Sequence, residues 1–294
     1  MLRTRLWMGA ILVGLGVLIL IEANWLAPWF PFLFIIVSLA LILGGREFLL
    51  LLDPAVRPHP ALCLGGVFAV LLANWSVPVR QTLKDSFPTW LDSWHAVGAV
   101  FVLVLIATFL WEIARFRGPD SITQRIGLTV LAVAYLGVLP SFLLQMRWLE
   151  DSVNGIPRST MAIALTLFVP KCGDIGALFT GKYLTGGFLG RNLMAPRLSP
   201  KKTWQGFGGG LLAAVVASVG LNSIAPIIRG GLAGPIGFGI TVGLAGVLGD
   251  LAESLIKRDS EQKDASRTLP GFGGVLDVID SLLFAAPVAY LWLA

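Results

Sequence analysis

Two cysteines and two histidines are all that 294 residues contain of either side chain. Cys63 and Cys172 are too few and too far apart for a disulfide framework or a cysteine-based zinc site. His59 and His95 fall at the edges of apolar runs and give no histidine metal centre. Charge is also scarce: 13% of the residues are charged and 56% are apolar, whereas a soluble domain carries about 25% charged residues. That composition excludes a soluble globular protein and points to an integral membrane protein. No repeat of roughly 20–50 residues recurs, and no low-complexity linker divides the chain.

The apolar runs predict an all-α, polytopic helical bundle of about nine transmembrane helices. They lie near 7–23, 30–45, 61–78, 95–114, 126–145, 159–179, 207–228, 232–254 and 272–293. Trp7, Trp25, Trp29, Trp75, Trp90, Trp94, Trp111 and Trp292 sit close to the ends of these runs, where amphipathic rings prefer the interface. The first run follows Arg3 and Arg5 without a convincing cleavage site near Glu22-Ala23-Asn24, and reads as a retained anchor. With the N-terminus cytoplasmic, seventeen of the 22 Lys and Arg fall on the inner side and five on the outer. This asymmetry sets the orientation. The net charge of +5 restates it, and it does not suggest nucleic acid. The stretch around 82–95, with Pro88 between charges and tryptophans, is expected along the outer surface.

Acidic residues divide the chain within what remains a single membrane domain. Before about residue 155 they gather at span ends and in loops. Beyond it, Asp174, Asp250, Glu253, Asp277 and Asp280 fall within spans or at their mouths, where an ionised group costs at least about 2.5 kcal/mol. Residues 1–155 therefore read as transmembrane scaffold. Residues 156–294 read as catalytic helices with cytoplasmic loops. The connection over 180–206 is too rich in Gly and Pro for continuous helix. It ends Ser199-Pro-Lys201-Lys202-Thr203-Trp-Gln-Gly206, with lysines and hydroxyls suited to phosphate and equally suited to anchoring a span end. Asp250, Glu253, Ser254 and Lys257 share one helix face by their spacing. They fit a ladder of metal and phosphate groups, or an intrahelical Glu253–Lys257 pair that leaves Asp250 unexplained. Asp277 and Asp280, three apart, offer hard oxygens suited to Mg²⁺; a proton relay or interhelical hydrogen bonding are the alternatives. Gly271-Phe-Gly-Gly274 opens the last helix, where free N–H groups favour anions and where a simple turn is the plainer reading.

The run from Ser254 to Asp280 closely resembles the signature of the phosphatidate cytidylyltransferases. That signature is Ser-x-apolar-Lys-Arg, four residues, Lys-Asp, then Leu-Pro-x-His-Gly-Gly-x-x-Asp-Arg-x-Asp. Spacing is kept throughout; Phe272 replaces the His and Val278 the Arg. Asp174, Ala177 and Gly181 match an Asp-x-x-Ala-x-x-x-Gly element, and Ser199 to Gly206 matches Ser-Pro-Lys-Lys-Thr-Trp-Glu-Gly except at Gln205. Three ordered motifs are more specific than any one. The resemblance implies CDP-diacylglycerol and pyrophosphate made from CTP and phosphatidic acid, with Mg²⁺ as cofactor. It implies a site on the cytoplasmic face of a bacterial inner membrane among membrane lipids, and a homodimer. It implies Asp250, Asp277 and Asp280 as metal ligands, with Asp250, Asp277, Lys257 and Arg258 as the catalytic set. Ser199, Lys201, Lys202, Thr203, Lys263, Asp264, Arg267, Gly273, Gly274 and Asp174 would bind substrate. A CTP-dependent lipid kinase and a transporter or flippase using intramembrane carboxylates are the rival readings.

Overall fold

The computed structural model describes residues 2–82, 92–184, 192–263, 265–266, 268–271 and 273–294. In chain order, α1 (Leu2–Ile21), α2 (Pro31–Leu51), α3 (Pro60–Ala73), α4 (Ser76–Thr82), α5 (Ser93–Arg115), α6 (Ile122–Val133) and α7 (Leu139–Gln145) come first. A small hairpin of β1 (Ser152–Val153) and β2 (Ile156–Pro157) precedes α8 (Arg158–Leu184). A second hairpin, β3 (Leu193–Ala195) and β4 (Ser199–Thr203), leads into α9 (Trp204–Ile224), α10 (Ala233–Asp259) and α11 (Leu276–Leu293). Among the described residues eight helices are long and apolar enough to cross a bilayer, with α6 and α7 counted as one run, Ile122–Trp148. The pair α3–α4, bent by 44°, makes nine when counted as one span. These match the nine apolar runs, and the chain is a polytopic all-α membrane protein.

Helix starts follow local chemistry. Pro31 and Pro60 open α2 and α3, where a missing N–H costs nothing. The buried Glu22 carboxylate accepts the Phe32 and Leu33 amides, both at 2.9 Å, and so satisfies orphan donors of α2. Asp92 caps α5 by accepting the His95 amide at 2.8 Å, and this bond holds its carboxyl below the usual range. Thr203 caps α9 in the same way, through the Gly206 amide at 3.1 Å.

Packing divides the chain into two units. The first comprises Met1–Gln145 and Asp264–Val278, the second Met146–Lys263 and Ile279–Ala294. In the first, the break between α3 and α4 frees backbone groups that lipid cannot satisfy. Asn74 stands there, fully buried, donating to the Val70 carbonyl and to Ser141 Oγ, both at 2.9 Å. Gln145 donates to Asn74 at 2.7 Å and accepts from Ser93 at 2.5 Å, which closes a polar chain linking α3, α7 and α5. In the second unit α8, α9 and α10 approach through small residues. A Cβ on Gly210 would stand 2.8 Å from the Gly173 carbonyl oxygen and 3.0 Å from Ala177 Cβ, closer than real side chains come. Small residues, rather than a hydrophobic drive that lipid would match, let these backbones meet.

Candidate active site

The second unit gathers its acids in one place. Asp250 and Glu253 stand one turn apart on α10, and Asp280 comes from α11. Their ligand oxygens lie within 4.8 Å of one another. Gly249 makes the approach possible, because a Cβ there would collide with the Asp280 carbonyl oxygen and lie 3.1 Å from Ser281 Cα. Glu253 and Asp280 are buried and Asp250 is half-buried. Three carboxylates drawn together without cations would repel one another strongly at low dielectric. Each therefore has an ammonium: Lys202 Nζ lies 2.8 Å from Asp250, Lys257 pairs with Glu253, and Lys171 Nζ lies 3.9 Å from Asp280. Asp174 joins through Lys171 at 3.1 Å and through the Ser281 hydroxyl at 3.2 Å.

Lys202 reaches this cluster because β3 and β4 form an antiparallel pair, with Leu193 opposite Thr203 and Ala195 opposite Ser199. Within β4, Lys201 is exposed while Lys202 is half-buried. Ser199 is half-buried at the start of the strand. The buried Thr203 caps α9. Arg258 is exposed and donates to the Leu198 and Gln262 carbonyls at 3.1 and 3.2 Å, tying the hairpin to the end of α10. Lys263 is exposed beyond it. Asp264, Arg267 and Phe272 lie outside the described residues.

Asp277 belongs to the first unit. Its Oδ2 accepts the Gly274 amide at 2.6 Å and the Ala265 amide at 3.1 Å. Gly273 has φ +100°, a left-handed conformation natural to glycine. Its Leu269 neighbour exchanges both backbone hydrogen bonds with it, at 2.8 and 3.0 Å. Glu47 of α2 completes the support of this loop. Nearly fully buried, it accepts Ser266 Oγ at 2.7 Å and the Leu276 amide at 2.8 Å. A Cβ on Gly274 would stand 2.5 Å from Glu47 Oε2.

Three of these neighbouring groups carry little or no signal in the sequence. Lys171 belongs to none of the three motifs, although its spacing to Asp174 is that of a helical ion pair. Ser281 carries no signal beyond adjacency to Asp280. Glu47 carries none, because its partners lie 219 and 229 residues away. Glu253, read as either ladder or ion pair, pairs with Lys257 and lies beside Asp250 and Asp280.

The donor set fits a hard divalent cation: three carboxylates from two helices, all-oxygen, with lysines beside them. Comparison with known proteins gives the set a context. A phosphatidate cytidylyltransferase of Synechocystis is 30% identical over 275 residues, 86% of this chain and 85% of that one. One from Bacillus subtilis is 30% identical over 202 residues, 67% of each chain. One from Pseudomonas aeruginosa is 34% identical over 207 residues, 67% of this chain and 70% of its own. The model of the cytidylyltransferase family matches residues 2–294, every described helix included. The chain belongs to the cytidylyltransferase family.

Proposed function

We propose that the protein is a phosphatidate cytidylyltransferase, joining CTP to phosphatidic acid to give CDP-diacylglycerol and pyrophosphate. One observation carries the reading: Lys202, from the Ser-Pro-Lys-Lys-Thr motif, lies 2.8 Å from Asp250 at the acid cluster. Motifs some fifty residues apart thus supply phosphate-binding cations and metal-binding oxygens to the same place. Asp250, Glu253 and Asp280 would hold Mg²⁺. The bound ion would neutralise charge on the triphosphate oxygens and polarise the α-phosphorus.

A phosphate oxygen of phosphatidate forms the new bond to the α-phosphorus, and the bond from that phosphorus to the bridging oxygen of the β-phosphate breaks. The attacking monoester is already anionic at neutral pH, so the chain supplies no strong base. Its work is positioning and charge neutralisation. Lys202 and Lys201 take phosphate oxygens. Lys257 and Arg258 stand at the end of α10 against the accumulating charge. Asp277, Gly273 and Gly274 hold the loop before α11 in shape. The acyl chains stay in the bilayer, and CTP arrives from the cytoplasm on the side with the excess of Lys and Arg. The inner membrane and the homodimer implied by the resemblance belong to the same reading.

Purified protein given CTP labelled at the α-phosphorus, Mg²⁺ and phosphatidate should yield labelled CDP-lipid and pyrophosphate, and Asp250→Asn should yield neither. Label that moves to a lipid only from the γ-position would replace this reading with that of a lipid kinase. Detergent-corrected light scattering reads the mass of the assembly.

A further inference from the structure

The family pattern carries Arg two residues before its last Asp, and this chain has Val278 there. A cation nevertheless reaches Asp280, from another helix. Lys171 of α8 places Nζ 2.7 Å from Ser281 Oγ, 3.1 Å from Asp174 Oδ2 and 3.9 Å from Asp280 Oδ1. Ser281 Oγ, fully buried, in turn donates to Asp174 Oδ2 at 3.2 Å. The ammonium therefore sits in a closed ring with oxygen partners from α8 and α11, held by groups that would otherwise be available to a metal.

We propose that Lys171 is a resident cation of the acidic centre, standing where a second metal ion would sit, so that the centre takes one divalent ion per chain. This rests on the metal-binding reading above. Two-metal phosphoryl-transfer sites hold their ions about 3.5–4 Å apart between shared oxygens. Asp250, Glu253 and Asp280 would hold the first ion, and Lys171 Nζ lies 3.9 Å from Asp280 and 3.1 Å from Asp174. A lysine ammonium is a compact point charge, well suited to replace an ion there. Charge balance agrees. Four carboxylates (Asp174, Asp250, Glu253, Asp280) face three ammoniums (Lys171, Lys202, Lys257). One divalent ion brings that set from −1 to +1, whereas two would bring it to +3. Repulsion from a fixed unit charge a few ångströms away is large enough at protein dielectric to weaken a second ion by far more than tenfold.

The test is Mn²⁺ alone, without nucleotide or phosphatidate, titrated into the purified chain in detergent while electron paramagnetic resonance counts free ion. Wild type and Lys171→Arg should bind one Mn²⁺ per chain. Lys171→Met should bind two, with the exchange-split spectrum of close ions, or bind the first about tenfold more tightly. Two Mn²⁺ in wild type would overturn the proposal whether or not the Met variant folds. Identical stoichiometry and affinity in wild type and a folded Met variant would overturn it as well. No binding in wild type would remove the metal centre itself, a failure distinguishable from either.

Discussion

Gly274→Ala tests whether the carboxylate from α2 holds the loop before α11. Gly274 lacks the positive φ of Gly271 and Gly273, so an alanine there meets steric resistance alone. The new methyl would stand 2.5 Å from Glu47 Oε2, 2.9 Å from Glu47 Cδ and 3.1 Å from Ala265 Cβ. On an exposed glutamate the end of the side chain would swing aside at little cost. Here it is 4% exposed and accepts two hydrogen bonds. Moving it strains or breaks bonds to a charged acceptor that contribute about 1.5–3 kcal/mol each. If it stays, the overpacked site costs about 1–3 kcal/mol. Either route gives a destabilisation of at least about 1–3 kcal/mol, or roughly 3–9 °C in the thermal transition in detergent. CDP-lipid formation should fall as well, since the loop carries the Gly-Gly of the motif. The sharper measurement is the double-mutant cycle with Glu47→Ala. Removing the carboxylate opens the space the methyl needs, so Gly274→Ala should cost little in that background. A coupling of about 2 kcal/mol is expected. Effects that add within about 0.5 kcal/mol would show that Glu47 and Gly274 act independently, and would refute the reasoning.

Gly249→Ala should be more severe. Its Cβ meets backbone of α11 rather than a side-chain tip, so α10 and α11 must separate and Mn²⁺ binding should be lost with activity; a variant that keeps both would show that the helices need no such contact. Thr203→Val should cost about 1 kcal/mol through loss of the α9 cap, and Thr203→Ser should restore thermal stability; activity lost in the Ser variant despite full stability would assign the methyl, not the cap, to function. For Asp92, the capping hydrogen bond lowers the folded-state value. Its stabilisation is therefore present above the unfolded carboxyl value and lost as pH falls through the folded one. The thermal transitions of wild type and Asp92→Ala should differ at pH 7 and converge on acidification through the carboxyl range. A difference that persists in acid would sink the capping account.

The spans were legible because lipid imposes a coarse rule: long apolar runs become helices, and breaks fall at Pro, Gly or polar clusters. The bend at Asn74 shows where that rule ends, since an apolar count alone reads α3 and α4 as one straight span. The site was legible where chemistry repeats at helical spacing, as with Asp250, Glu253 and Lys257, and where a motif has its own composition, as in Ser199–Thr203. What sequence spacing could not supply is convergence between distant segments. Asp280 meets Asp250 and Glu253 because Gly249 lets two backbones touch, and nothing about one glycine among 34 identifies it. Asp277 and Asp280 share a helix and a motif, yet their surroundings differ: Asp277 accepts amides of the preceding loop, while Asp280 accepts the Ser281 amide with a lysine and two carboxylates beside it. An i, i+3 pair near the start of a helix has one member beside the loop that leads into it and one a turn further in. The first takes amides of that loop, and the second, buried a turn further in, has a lysine beside it as well as an amide. Position relative to the helix start therefore separates two acids that the motif treats alike.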